Sequence, residues 1–142
     1  ILTNHAFNKR KIIINGGNQK RPNIHIQDMV NASLEILDQQ NEFVNEEIFN
    51  IGFENYTLDE IGELVKEKIG DDVVIDHQET NDNRSYHISS NKIRKQLGFL
   101  PQFSIEKAIE DLKQAFEKKL LYNSFDDPKY FNIKMMQEIN LQ

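Results

Sequence analysis

The sequence predicts a mixed α/β fold in which short strands and amphipathic helices interleave, with helix predominating in the second half. Three observations carry this. The apolar run Lys11-Ile12-Ile13-Ile14-Asn15 closes on Gly16 and Gly17, the pattern of a strand and a tight turn. Thr57 and Glu60 form a capping-box pattern ahead of Leu58, Ile61, Leu64, Val65 and Ile69 at helical spacing, with Gly70 as a left-handed stop. Ser104 caps the longest predicted helix, whose inner stripe is Ile105, Ala108, Ile109, Leu112, Phe116 and Leu120.

The remaining elements follow in order. Residues 24–26, IHI, read as a short extended piece. Asp28 then caps a helix over roughly 29–39, with Met29, Val30, Ser33, Ile36 and Leu37 on one face and Asn41 as a stop. EIFNIG at 47–52 reads as a buried strand, VVIDHQE at 73–79 as a strand by its alternation, and RSYHI at 84–88 as an extended piece. Ser89 or Ser90 starts a short helix carrying Ile93 and Leu97; Gly98 ends it, and Pro101 forbids continuation nearby. After Tyr122 the pattern degrades. Asp126-Asp127-Pro128 breaks the chain, so 1–121 reads as the main body and 122–142 as a tail with a final amphipathic segment from about Tyr130.

Composition narrows the function classes. The chain has 142 residues, enough for one compact domain with a proper core. Hydrophobic residues make up 38% and charged ones 28%, which excludes disorder as the default. No apolar run approaches the length of a transmembrane helix, and the start ILTNHAFNKRK is not a signal peptide. Ile1 is not an initiator methionine, which reads as the edge of a truncated frame. The absence of cysteine excludes a disulfide scaffold, a thiol nucleophile and a cysteine-ligated metal, and fits a cytoplasmic location. A net charge of -6 repels a nucleic-acid backbone, so neither nucleic acid nor membrane is an expected partner.

The stretch from Gly16 to Asp28 carries the chemistry: a turn presents Arg21, and an Asp opens the following helix. A guanidinium beside exposed turn N–H groups suits a diphosphate, because it offers a bidentate fork and a permanent charge. A lone Arg near a double Gly is more often a plain surface residue.

Here the spacing of Gly17, Gln19, Arg21, Ile24, His25, Ile26 and Asp28 resembles the extended short-chain dehydrogenase/reductase family of NAD-dependent nucleotide-sugar epimerases and dehydratases. Further pieces follow in the family's order: Ile48-Phe49-Asn50-Ile51-Gly52, Thr57-Leu58-Asp59-Glu60, Asp82-Asn83-Arg84-Ser85-Tyr86, Ser90-Asn91-Lys92-Ile93, and Leu97-Gly98-Phe99 with Pro101. The resemblance runs from about Lys11 to Phe116. It implies the C-terminal, substrate-binding part of such an enzyme, with the last strand and helix of its Rossmann half and most of the Rossmann domain absent. It further implies that Arg21 contacts the diphosphate of a bound nucleotide-diphosphate sugar, with Gln19 beside it, and that His25 and Asp28 are structural. One departure stands out. Many relatives carry Arg-Pro-Gly-Asp in the second loop; here Glu79 stands in place of that Arg, and Arg84 is the residue that can supply the charge. The plainer alternative is that Arg84 only pairs with Asp82 or a nearby carboxylate.

A Rossmann half would show a strand, a Gly-rich turn and a helix, and Gly16-Gly17 is not followed by that spacing. The family's catalytic Tyr-x-x-x-Lys is matched only by Tyr130 and Lys134, far downstream of the diphosphate Arg, and is rejected as a chance pair. His5, His77 and His87 lack partners at metal-ligand spacing, so no metal is expected. The resemblance thus implies NAD or NADP in the parent enzyme and none bound by this chain alone, which should be catalytically inert. The alternatives are a non-enzymatic binding or assembly module of the same fold, or a short-chain reductase of a small carbonyl compound. Cut away from its Rossmann half, the chain should expose apolar faces, and either be marginally stable or self-associate to cover them.

Overall fold

The computed structural model describes residues 1–82 and 84–140. Asn83 of the Asp82-Asn83-Arg84 motif and the last two residues of the tail lie outside them. The described elements are α1 (Leu2–Lys9), β1 (Lys11–Asn15), β2 (Lys20–Asn23), α2 (Ile26–Asp38), α3 (Asn41–Val44), β3 (Glu54–Thr57), α4 (Leu58–Ile69), β4 (Val74–Gln78), α5 (Asn91–Leu97), α6 (Ile105–Glu117) and α7 (Asn132–Glu138). A 3-10 turn spans Pro128–Tyr130.

The main core follows from the period-two pattern of β1. Ile12 and Ile14 are buried while Lys11, Ile13 and Asn15 face out. β1 pairs in parallel with β4, Ile12 opposite Ile75 and Ile14 opposite His77. Val65 and Ile69 of α4, Ala6 of α1, Val73 and Ile109 of α6 close over it. Each buried Ile or Val side chain contributes roughly 1.5–3 kcal/mol by leaving water. Gly62 in the middle of α4 permits the close packing: a Cβ there would lie 2.5 Å from Cδ1 of Ile14. The start of α4 carries the complete capping box, with Glu60 N–H donating to Thr57 Oγ1 at 3.2 Å and Thr57 N–H to Glu60 Oε2 at 2.7 Å.

A second cluster gathers Ala32 of α2 with Ile93 and Leu97 of α5, flanked by Ile36, Val44, Phe49, Ile51 and Phe99. Gly98, at φ 71, supplies the left-handed stop after α5. A separate two-stranded antiparallel ribbon, β2 with β3, sets Arg21 opposite Tyr56 and Pro22 opposite Asn55.

The structure corrects several expectations. IHI joins no strand: the strand is Lys20–Asn23, His25 is extended at φ -68 and ψ 142, and Ile26 already opens α2. Asp28 does not cap that helix. His25 does, its Nδ1 accepting from Gln27 N–H at 3.1 Å. With Nδ1 an acceptor, the proton sits on Nε2, which faces Asp111 Oδ2 of α6 at 3.1 Å. Asp28 is instead fully buried and accepts from the backbone N–H groups of Gln102 and Phe103 at 2.9–3.0 Å, holding the approach to α6. Val30 and Leu37 of the expected inner face are exposed, because α2 turns Asp28, Ala32 and Ile36 inward. Asn41 starts α3 and does not stop α2.

EIFNIG forms no strand. A strand needs a ladder partner, and Ser90 Oγ takes both backbone groups of Gly52 at 2.8 Å. Ile48 is exposed while Phe49 and Ile51 turn to the second cluster. RSYHI likewise joins no ladder. Gly70 ends α4 at φ 153 and ψ 151, outside the left-handed helical region. Leu120 leaves the α6 stripe because the helix ends at Glu117, and Leu112 is only partly covered.

Candidate functional site

The turn between β1 and β2 is built around Gln19. Its Nε2 donates to Asn15 O at 2.7 Å, and its Oε1 accepts from Gly17 N–H at 2.6 Å. A Cβ on Gly16, at φ 80, would meet that amide at 2.7 Å, so glycine is required there. The carbonyls of Gly17 and Gln19 in turn accept from Asp59 N–H and Leu58 N–H, the first donors of α4. These contacts and the capping box engage the start of α4 internally and leave it no role as an anion cradle. Gly16-Gly17 leads into a strand and not a helix, so it does not form the pyrophosphate cradle of a dinucleotide fold.

Past this turn, β2 carries Arg21 to the edge where the 84–88 segment runs. Three contacts dock that segment on the ribbon. Lys20 N–H donates to Ser85 Oγ at 2.9 Å, and Tyr86 N–H donates to Lys20 O at 3.0 Å. Farther along, the Asn55 side chain bonds both backbone groups of Ile88, at 3.1 and 3.2 Å. The Asn55 amide does the work of a ladder where no ladder forms.

This docking brings the two predicted arginines together. Nη1 of Arg21 donates to the carbonyls of Lys20 at 2.9 Å and Arg84 at 2.7 Å, and its guanidinium lies 5.4 Å from the Tyr86 ring centroid. Arg84 pairs fork to fork with Asp82, Nε to Oδ1 and Nη2 to Oδ2, both at 2.7 Å. These bonds hold the Asp82 carboxyl at about 2, with Arg21 adding a smaller pull in the same direction. The plainer alternative for Arg84 is thus the pairing seen here. Glu79, beyond the end of β4, is exposed. Gln19 spends its amide on the turn.

Sequence reasoning missed Tyr86, whose ring faces Arg21, and Ser85 and Asn55, which dock the loop. Tyr86 and Ser85 lay inside the Arg84-Ser85-Tyr86 motif, but only the fold shows what they touch. Elsewhere, Tyr130 lies in the 3-10 turn and Lys134 in α7, with Lys134 Nζ 4.3 Å from the Phe131 ring. Among the described residues no group of three or more His, Asp or Glu could hold a metal ion. No described helix is long and apolar enough to cross a membrane.

The fold is α/β and is similar to part of the fold of larger epimerase and dehydrogenase structures. Residues 1–52, from α1 through EIFNIG, match the model of the NAD dependent epimerase/dehydratase family, in agreement with the resemblance carried by the motifs. Among solved structures, the chain is similar to UDP-glucose 4-epimerase from Thermotoga maritima, determined with UDP-glucose. The TM-score is 0.73 and the identity 24%, over 84% of this chain and 38% of that one. It is similar to L-threonine dehydrogenase from Phytophthora infestans at TM-score 0.73 and 16% identity, over 83% and 40%. It is similar to dTDP-glucose 4,6-dehydratase from Bacillus anthracis, in complex with NAD, at TM-score 0.71 and 22% identity, over 85% and 39%. No curated protein sequence matches the chain. The chain spans about 40% of the length of these structures.

Proposed function

We propose that this chain forms the substrate-binding part of an NAD(P)-dependent nucleotide-sugar epimerase or dehydratase, with Arg21 and Arg84 as ligands of the diphosphate. The observation that supports this most is that the Arg21 guanidinium is held by the backbone carbonyls of Lys20 and Arg84, which sets it beside the segment that carries the Arg84 side chain. A diphosphate fits such a pair because each guanidinium offers a planar fork of donors and a permanent charge. Gln19 contributes by closing the turn that leads into Arg21.

In an enzyme of this kind the nicotinamide cofactor supplies hydride transfer to and from a sugar carbon. The chain's own residues grip the remote diphosphate, and that binding energy orients the sugar for chemistry performed elsewhere. The Rossmann half that holds the cofactor is a partner in this proposal, and the cytoplasm is its location.

A second reading has a specific observation behind it. An L-threonine dehydrogenase shares the fold at the same TM-score as the epimerase. On that reading the parent is a dehydrogenase of a small substrate, and Arg21 and Arg84 serve the loop alone.

The experiment is thermal unfolding of the chain with UDP, dTDP, CDP and GDP. A ligand at ten times its Kd adds about 1.4 kcal/mol to the native state. The expected result is a raised Tm with at least one nucleotide, lost in Arg21→Ala. No response to any of the four, from a chain that unfolds cooperatively, favours the small-substrate reading.

A further inference from the structure

We propose that Asp82 is a resident counter-ion on Arg84 that a diphosphate ligand must displace, so that this carboxylate sets the affinity of the site; the inference rests on the reading above. Asp82 occupies both Nε and Nη2 of Arg84, the same edge a phosphate would take in bidentate fashion. The pair is held within its own loop: Arg84 N–H also donates to Asp82 Oδ1 at 3.2 Å, and Asp82 N–H donates to Thr80 Oγ1 at 3.1 Å. Arg21 differs. Among the described residues no carboxylate bonds its guanidinium, which is anchored only to neutral carbonyls.

Two guanidinium charges therefore stand against the single carboxylate of Asp82, which bonds only Arg84, leaving a surplus positive charge at the point where the 84–88 segment meets β2. A ligand with two or more negative charges compensates that pair better than a single carboxylate does. Exchange is also cheap. The side chains of Arg84 and Asp82 are 72% and 41% exposed, and an ion pair in water at that exposure contributes little to stability. Because Asp82 stays ionised down to about pH 2, the competition operates throughout the neutral range.

The test is an NMR titration of the full chain, following the side-chain Nε–H signals of Arg21 and Arg84 during addition of UDP or inorganic pyrophosphate. The variants are Asp82→Asn, Arg84→Ala, both together, and Glu79→Gln as a control for general loss of negative charge. The expected result is that D82N tightens UDP by about two- to five-fold, the range an exposed pair allows. That gain should be absent from the double variant and from E79Q. A D82N variant that binds neither UDP nor pyrophosphate better, a gain that survives in the Arg84→Ala background, or an equal gain in E79Q would each overturn the proposal. A gain seen with pyrophosphate but not with UDP supports the counter-ion exchange and removes the nucleotide reading. Absence of binding to either probe in every well-folded variant removes both.

Discussion

Two helices of nearly equal length behave in opposite ways. α4, with 12 residues, buries Gly62, Val65 and Ile69 against the β1–β4 sheet and turns Glu60, Glu63 and Glu67 to solvent. α2, with 13 residues, buries Asp28 and Ala32 and leaves Ile26, Val30, Leu34 and Leu37 exposed. Leu37 is 80% exposed and Ile26 is 72% exposed. An amphipathic helix with one neighbour needs one apolar stripe. α2 carries two, one on the second cluster and one facing out, which is the composition of a helix written for neighbours on both sides. The outward stripe lies within the segment that matches the epimerase/dehydratase family, in a chain covering about 40% of the length of the structures it resembles.

The sharpest way to test this contrast is to truncate one side chain from each environment. Ile12→Ala, in the closed core at 0% exposure, should cost about 2–5 kcal/mol in urea unfolding. Leu34→Ala, 59% exposed on the open face, should stay within about 0.5 kcal/mol. Comparable losses at both positions would break the comparison, because they would mean that Leu34 is packed as firmly as the closed core.

A smaller loss is expected where α2 is tied to α6. Asp28→Ala removes the buried acceptor of the Gln102 and Phe103 N–H groups and should cost about 1–3 kcal/mol. Hydrogen exchange should report it as lost protection at those two amides. Unchanged protection would assign the hold on that loop to packing by Phe103 and His25 instead.

The smallest effect on stability, and the most direct reading of the open face, comes from charging it. Sedimentation of the chain at low micromolar concentration should show self-association, and Leu34→Glu with Leu37→Glu should shift it toward monomer. A wild-type chain that runs as a well-folded monomer would mean that the exposed stripe is tolerated in water.

How far the sequence reached differs from place to place. The capping box at Thr57 and Glu60, the apolar β1 run closed by Gly16-Gly17 and the Gly98 stop were legible because each depends on residues within a few positions of one another. The β2–β3 ribbon was not, because Lys20-Arg21-Pro22-Asn23 and Glu54-Asn55-Tyr56-Thr57 lack the apolar alternation of a half-buried strand. EIFNIG had the opposite fault. It has the composition of a buried strand, but among the described residues it has no ladder partner.

By itself, then, the sequence determined the local elements that carry their own signals, and the placing of Arg21 and Arg84 in an ordered set of family motifs. Only the tertiary structure decided that Asp28 holds the approach to α6, that Asn55 and Ser85 dock the Arg84 segment, and that the two arginines meet at Tyr86. The reason is physical. Caps and periodic stripes join residues three or four positions apart, whereas these contacts close loops of some thirty to seventy-five residues and exist only once both ends are folded.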